Sequence, residues 1–160
     1  MSVFVTVGTT DFVGLVESMC SDEIQRTLQS QGYSTINIQA GRHQCNVESC
    51  ILKTTAFDYK DSIVPDMMKA DLIISHAGAG TCLEALELKK DLVAVVNDSL
   101  MGNHQVELAE KLASEGYCDY ATLSSLNSVL SNIKTKKKII FPRQDDSLLS
   151  DFLRHRLEMD

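Results

Sequence analysis

The chain has 160 residues, 44% of them hydrophobic and 23% charged, with 15 Lys and Arg against 22 Asp and Glu for a net charge of −7. That length suits one domain, which typically buries roughly 68–70% of its unfolded surface and needs no staples. The acidic balance argues against a general nucleic-acid surface, which needs clustered cations. No apolar run approaches the roughly 18–20 residues that span a bilayer.

The run Met1 to Gly8 has no basic leader and turns to glycine too early for a signal peptide. Five cysteines, Cys20, Cys45, Cys50, Cys82 and Cys118, form an odd set with no C-x-x-C pair. That pattern reads as the reduced thiols of a cytosolic protein rather than a disulfide framework or a zinc site.

In chain order, short apolar runs predict strands over Val3–Val7, Thr35–Gln39, Ile51–Ala56, Leu72–Ser75 and Leu92–Val96, with a weaker one over Tyr117–Ala121. Several lack a polar alternate face, as strands do when helices cover both sides of a parallel sheet. Between them lie helical patterns. Asp11 is a candidate cap for a helix from Phe12, and Asp22 restarts it towards Ser30 with Gly32 as the stop. Asp61 is placed to cap Ser62–Lys69. Further helices are expected over Gly80–Leu88, over Asn103–Ser114 before Gly116, and from Ser124 or Ser125 towards Ile133. Strands alternating with helices of this size imply right-handed crossovers and a doubly wound, mostly parallel, Rossmann-like α/β sheet.

Ligands of such sheets lie beyond the carboxyl ends of the strands. Three strand ends carry unusual residues: Gly8-Thr9-Thr10, His76 to Thr81, and Asn97 to Gln105. In the second, Gly78-Ala79-Gly80 between strand and helix lets a ligand approach the main chain, and the amides of the helix start favour phosphate. Thr81 lies in the first helical turn with its hydroxyl able to donate to phosphate. Glu84 shares its face and suits a ribose diol. The bland alternatives are a tight turn for the glycines, a solvated acid for Glu84 and a buried, backbone-satisfied imidazole for His76. Leu83 holds the third glycine position of G-x-G-x-x-G, and no G-x-x-x-x-G-K-[ST] occurs, so neither a dinucleotide fold nor a P-loop is favoured. Arg42, after the Gly41 turn, is a candidate for facing phosphate or partner, with a plain surface cation the equal alternative.

The run His76-x-Gly78-x-Gly80-Thr81-x-x-Glu84, followed by Asn103-His104-Gln105, resembles the donor-binding C-terminal half of GT-B nucleotide-sugar glycosyltransferases of the family 28 type. Within that class the chain is similar to the soluble subunits of two-chain UDP-N-acetylglucosamine transferases acting on dolichol-linked oligosaccharide. Phe4 to Thr10, Tyr59-Lys60-Asp61-Ser62 and Ala70 to Gly80 carry the likeness as well, which runs from Val3 to about Tyr117.

The resemblance implies roles residue by residue. Gly8, Thr9 and Thr10 form the loop beside the diphosphate, and Tyr59 and Lys60 hold the uracil largely through backbone groups. His76, the amides of Gly78, Ala79 and Gly80, and Thr81 hold the diphosphate, with His76 and Thr81 stabilising the leaving group. Glu84 takes the ribose hydroxyls, and His104 and Gln105 contact the N-acetylglucosamine. The donor is UDP-GlcNAc, with no cofactor and no metal ligands expected, since no D-x-D pair occurs. The acceptor site and the catalytic base fall to a membrane-anchored partner that recruits this otherwise cytoplasmic chain to the cytosolic face of the endoplasmic reticulum. On this view residues 1–142 form the UDP-sugar-binding domain. Residues 143–160, with Leu148, Leu149, Phe152, Leu153 and Leu157 on one face, form an amphipathic helix that the resemblance assigns to docking the partner, the alternative being a terminal helix docked on its own domain. The alternatives are a non-catalytic UDP-sugar-binding regulatory module and a subunit of an exopolysaccharide glycosyltransferase.

Overall fold

The computed structural model describes residues 1–43, 45–97, 104–134 and 138–142, with His104 and Gln105 in backbone only. Six parallel strands form one sheet: β1 (Ser2–Thr6), β2 (Thr35–Gln39), β3 (Lys53–Phe57), β4 (Leu72–Ser75), β5 (Asp91–Val96) and β6 (Asp119–Thr122). Their order is β3-β2-β1-β4-β5-β6. The chain therefore winds outward from β1 to one edge, returns beside β1 as β4, and winds to the other edge. The reversal falls between β1 and β4, where Val3 pairs with Leu72 and Thr6 with Ser75. Loops leaving those two strands must part in opposite directions and open a crevice.

Helices α1 (Val13–Cys20), α2 (Asp22–Ser30) and α6 (Leu126–Ser131) lie on one face, packing Leu15, Met19, Leu28 and Leu126 against Val3, Val5, Ile36, Ile38, Ile74 and Val93. Helices α3 (Val64–Lys69), α4 (Ala79–Glu87) and α5 (His104–Ser114) cover the other, with Met67, Ala85, Leu86 and Leu112 against Phe4, Ile73, Leu92 and Ala94. β1, β4 and β5 are sandwiched between the two clusters, which is why their sequences show no polar side.

Several expected boundaries move. β1 and β6 start one residue earlier and two residues later than the apolar runs, and β3 begins at Lys53 rather than Ile51. β3 is an edge strand with no fully buried residue, so it lacks the two-sided burial expected of it. Neither Asp11 nor Asp61 caps a helix: α1 starts after Phe12 with no side-chain cap, and α3 after Ile63. Ser21, not Asp22, caps α2, accepting from the Ile24 amide at 3.5 Å. Ser125 precedes α6, but its hydroxyl accepts from the Thr122 amide at 2.9 Å and so serves the preceding turn. Gly32 and Gly116 do stop their helices, with φ of 86° and 80° and closing bonds from Tyr33 to Leu28 and from Tyr117 to Leu112. The expected helix over 143–160 lies outside the described residues.

Candidate functional site

The loop after β1 is built around a buried threonine. The Thr6 hydroxyl donates to Gln39 Oε1 at 2.5 Å and accepts from the Gly8 amide at 3.1 Å. Both side chains are almost fully buried, so the bonds compete with little water. Gly8 then takes φ +59°, a left-handed conformation that costs other residues. The Thr10 hydroxyl donates to the Val7 carbonyl at 2.7 Å, so its proton tightens this turn, while Thr9 stands exposed.

Opposite lies the loop after β4. The His76 amide donates to the Thr6 carbonyl at 3.1 Å, and His76 Nδ1 lies 3.3 Å from the same oxygen. The imidazole is wedged between two glycines. A Cβ on Gly8 would stand 2.5 Å from Cε1, and a Cβ on Gly78 would stand 2.5 Å from Nε2. Both glycines thus make room for the ring. Burial pushes the imidazole below its ordinary 6.5, against a smaller opposing pull from the Thr6 bond. The neutral ring donates from Nδ1 to Thr6, a tautomer assigned from that bond, and presents the Nε2 lone pair. A hydrogen bond from Nε2 to a diphosphate oxygen therefore requires a second proton on the ring. The buried-imidazole alternative describes the ring's surroundings, and its position joins the two loops of the crevice.

Ala77 follows with φ 64°, fully buried and in left-handed geometry. This conformation aims the chain into α4, which begins at Ala79 after Gly78 at φ −63° and has no side-chain cap. First-turn amides without a capping side chain are left to solvent or to an anion. Ala79 and Gly80 are exposed, Thr81 and Glu84 half-buried. Apart from its chain neighbours and the backbone of α4 itself, no described atom lies within 4 Å of where a Gly80 Cβ would be. Packing does not explain that glycine. Close approach of a ligand would.

A cavity of about 390 Å³ opens at the carboxyl ends of β1 and β2, lined by Gly8, Thr9, Thr10, Asp11, Gly41, Arg42 and Tyr59. Tyr59 is 55% exposed there. Lys60 turns away from it: its ammonium donates to both oxygens of Asp66 at 2.9 and 2.8 Å and sits 3.9 Å from the Phe57 ring centre. Asp66 also accepts from Asn37 at 3.0 Å, and Asn37 accepts from Thr55 at 3.0 Å. Lys60 can thus offer the cavity its backbone while its charge serves α3. The α5 helix starts at His104, placing His104 and Gln105 in its first turn at the same end of the sheet. Their side-chain contacts lie outside the described residues.

Asp11, Gly41 and Ala77 were not singled out for the site from sequence, and Arg42 was left between readings. Asp11 looked like a helix cap, and Gly41 was legible only as a turn. The one signal in favour of Arg42 was a cation straight after a glycine at the end of a strand.

The structure defines a doubly wound domain with a cavity at the carboxyl ends of β1 and β2 and an uncapped helix start after β4, linked by His76 packed between Gly8 and Gly78. The chain belongs to the family of the glycosyltransferase family 28 C-terminal domain, whose model matches residues 2–156. It is 46% identical over 123 residues to the human UDP-N-acetylglucosamine transferase subunit ALG13, a match covering 75% of this chain and 11% of the human protein. The chain thus spans about a tenth of that relative's length. Its fold resembles the NMR solution structure of ALG13, with a TM-score of 0.73 and 28% identity over 95% of this chain and 94% of that one. It also overlays MurG of Acinetobacter baumannii with a TM-score of 0.62 and 21% identity, over 84% of this chain and 40% of MurG. The fold is therefore that of one half of a GT-B enzyme, as the sequence motifs implied. Among the described residues no helix is long and apolar enough to cross a membrane.

Proposed function

We propose that this chain is the donor-binding subunit of a UDP-GlcNAc transferase that adds the second N-acetylglucosamine to GlcNAc-diphosphodolichol in N-glycan precursor synthesis. The observation that carries the reading is the crevice between the β1 and β4 loops, where His76 is held between Gly8 and Gly78 beside the uncapped start of α4. The diphosphate lies across the amides of Gly78, Ala79 and Gly80 and the Thr81 hydroxyl. Glu84, one turn further along α4, accepts from the ribose hydroxyls. Tyr59 and the Lys60 backbone border the uracil, Gly8 to Thr10 flank the phosphates, and His104 and Gln105 face the sugar.

In the reaction the acceptor 4-hydroxyl attacks the anomeric carbon with inversion while the bond to UDP breaks. Negative charge grows on the leaving diphosphate, and donors aimed at it stabilise the transition state more than the ground state. The amides of α4 and Thr81 supply that stabilisation. His76 shapes the loop that aims them, and donates to phosphate itself when its ring is protonated. The base that takes the acceptor proton, and the acceptor site, belong to a membrane-anchored partner that brings the complex to the cytosolic face of the endoplasmic reticulum. Residues 143–160 dock on that partner. The reaction needs no cofactor, and no metal ligands are assigned to this chain.

The test is transfer from UDP-GlcNAc to a lipid-linked GlcNAc acceptor, with this chain alone and with its partner, alongside donor titration. Transfer is expected only from the pair, and Glu84→Ala is expected to weaken donor binding about 10-fold or more through lost charged hydrogen bonds. Full transfer by the chain alone would remove the partner's role. Donor binding without transfer in the pair would leave a regulatory module. Unchanged affinity in folded Glu84→Ala would remove the ribose contact.

A further inference from the structure

On the α1 side of the sheet, three of the five cysteines meet. Cys20 closes α1, and Cys45 and Cys50 come from the connection between β2 and β3; all three are half-buried free thiols. Burial, and the nearby thiols of Cys45 and Cys50, push the Cys20 thiol up. Cys50 Sγ also lies 4.0 Å from the Cys20 carbonyl and 3.8 Å from that of Asn46. Cys20 and Cys45 pack against the same apolar cluster, whereas Cys82 and Cys118 are buried on the opposite face of the sheet. Separations of 25 and 30 residues hide this convergence in the sequence.

Donor binding makes no use of these thiols. Among the described residues no group of three His, Cys, Asp or Glu side chains is placed to hold a metal. What adjacent thiols can do is lose two electrons together. The connection that carries Cys45 and Cys50 also carries Gly41 and Arg42, which line the cavity.

We propose that Cys20, Cys45 and Cys50 form an oxidation site at which a peroxide closes one disulfide from Cys20 to Cys45 or Cys50, stapling α1 to the connection that borders the cleft. The sulfur of Cys45 or Cys50 attacks the peroxide and breaks its O–O bond. One oxygen leaves as water and the other remains on sulfur as a sulfenic acid. The Cys20 sulfur then attacks that sulfur and breaks the S–O bond, and the departing hydroxide takes the Cys20 proton as a second water. Two thiols lose two electrons and two protons, and hydrogen peroxide becomes two waters. Burial and the neighbouring thiols hold the Cys20 proton firmly, so Cys20 gives it up to the hydroxide that leaves the sulfenic acid. The proposal does not depend on which ligand the cleft takes.

The test treats the reduced full chain with stoichiometric hydrogen peroxide and reads intact mass, peptide mapping and Tm. The expected product is monomeric and lighter by two hydrogens, with Cys20 in the bridged peptide and Tm raised by roughly 5–10 °C. Cys20→Ser abolishes the bridge, as does the double variant Cys45→Ser/Cys50→Ser, which decides the matter should the first fail to fold. Cys82→Ser leaves it intact. The proposal is overturned by a Cys45–Cys50 bridge, by bridges only between molecules, by independent sulfinic acids, or by five thiols that still titrate after treatment.

Discussion

The α-carbon of Gly8 and the imidazole of His76 occupy space that no side chain at position 8 could share, since a Cβ would stand 2.5 Å from Cε1. Gly8→Ala therefore meets two penalties, a left-handed backbone worth roughly 1–2 kcal/mol and overpacking worth roughly 1–3. Urea denaturation should show a loss of about 2–5 kcal/mol. An unshifted midpoint would mean that the ring is not wedged.

Gly80 is the contrasting case, a helical glycine whose missing Cβ would meet no described atom within 4 Å beyond its chain neighbours and its own helix backbone. Gly80→Ala should leave the free protein unchanged or up to about 1 kcal/mol more stable, because alanine is the better helix former. Donor affinity should nevertheless fall about 10-fold or more as the methyl enters the diphosphate path. Retained affinity would place the diphosphate elsewhere.

His76 sets a pH dependence of stability. Burial lowers its folded pKa below the ordinary 6.5, so the unfolded chain takes up the proton first as pH falls. Stability should decline as pH drops below 6.5, by at most about 1.4 kcal/mol per pH unit, and level off once the folded ring is protonated. His76→Asn should lack this segment of the Tm-versus-pH curve. Asp71 acts in a lower window: hydrogen bonds from Ser2 hold its carboxyl below the usual 3.8, so its contribution is lost only under stronger acid.

The Lys60 ammonium is engaged by Asp66 and Phe57 rather than by the cavity. Lys60→Met should cost about 0.5–1.5 kcal/mol of stability while leaving donor affinity within about threefold. Calorimetry on the folded variant checks both numbers. A large loss of affinity would show that the side chain, not the backbone, meets the base.

At the far edge of the sheet, Lys138 lies 3.3 Å from Asp119 and 3.5 Å from Asp91, with Asp119 only 4% exposed. The same segment bonds Ile139 to the Gly116 carbonyl and sets Phe141 edge-on to Tyr117 at 5.1 Å. Lys138→Met should destabilise the protein by about 1–3 kcal/mol, since a buried carboxylate loses a cation. Amide exchange should rise first in β6. Unchanged protection there would mean that the ion pair does not tie the segment down.

The alternation of apolar runs with helical patterns in the chain was sufficient for the α/β class; β4 fell on its residues because a strand covered on both faces leaves no exposed position to blur it, and β2 because Ile36 and Ile38 alternate with half-buried Thr35 and Asn37. Where coverage is one-sided, as at the edge strand β3, the apolar run at Ile51 and Leu52 marked the approach to the strand rather than its start. The glycine turn from His76 to Thr81 into α4 was legible because glycine, hydroxyl and helix start are local features. Other assignments depend on which segments lie side by side. Only the β1–β4 reversal brings Gly8 against His76, and only the pairing of β1 with β2 sets Arg42 beside the Gly8 loop. Distant thiols at 20, 45 and 50 likewise meet only when the β2–β3 connection folds against α1. Local periodicity follows from each residue's own neighbours along the chain, whereas these contacts follow from chain crossings whose partners no local window contains.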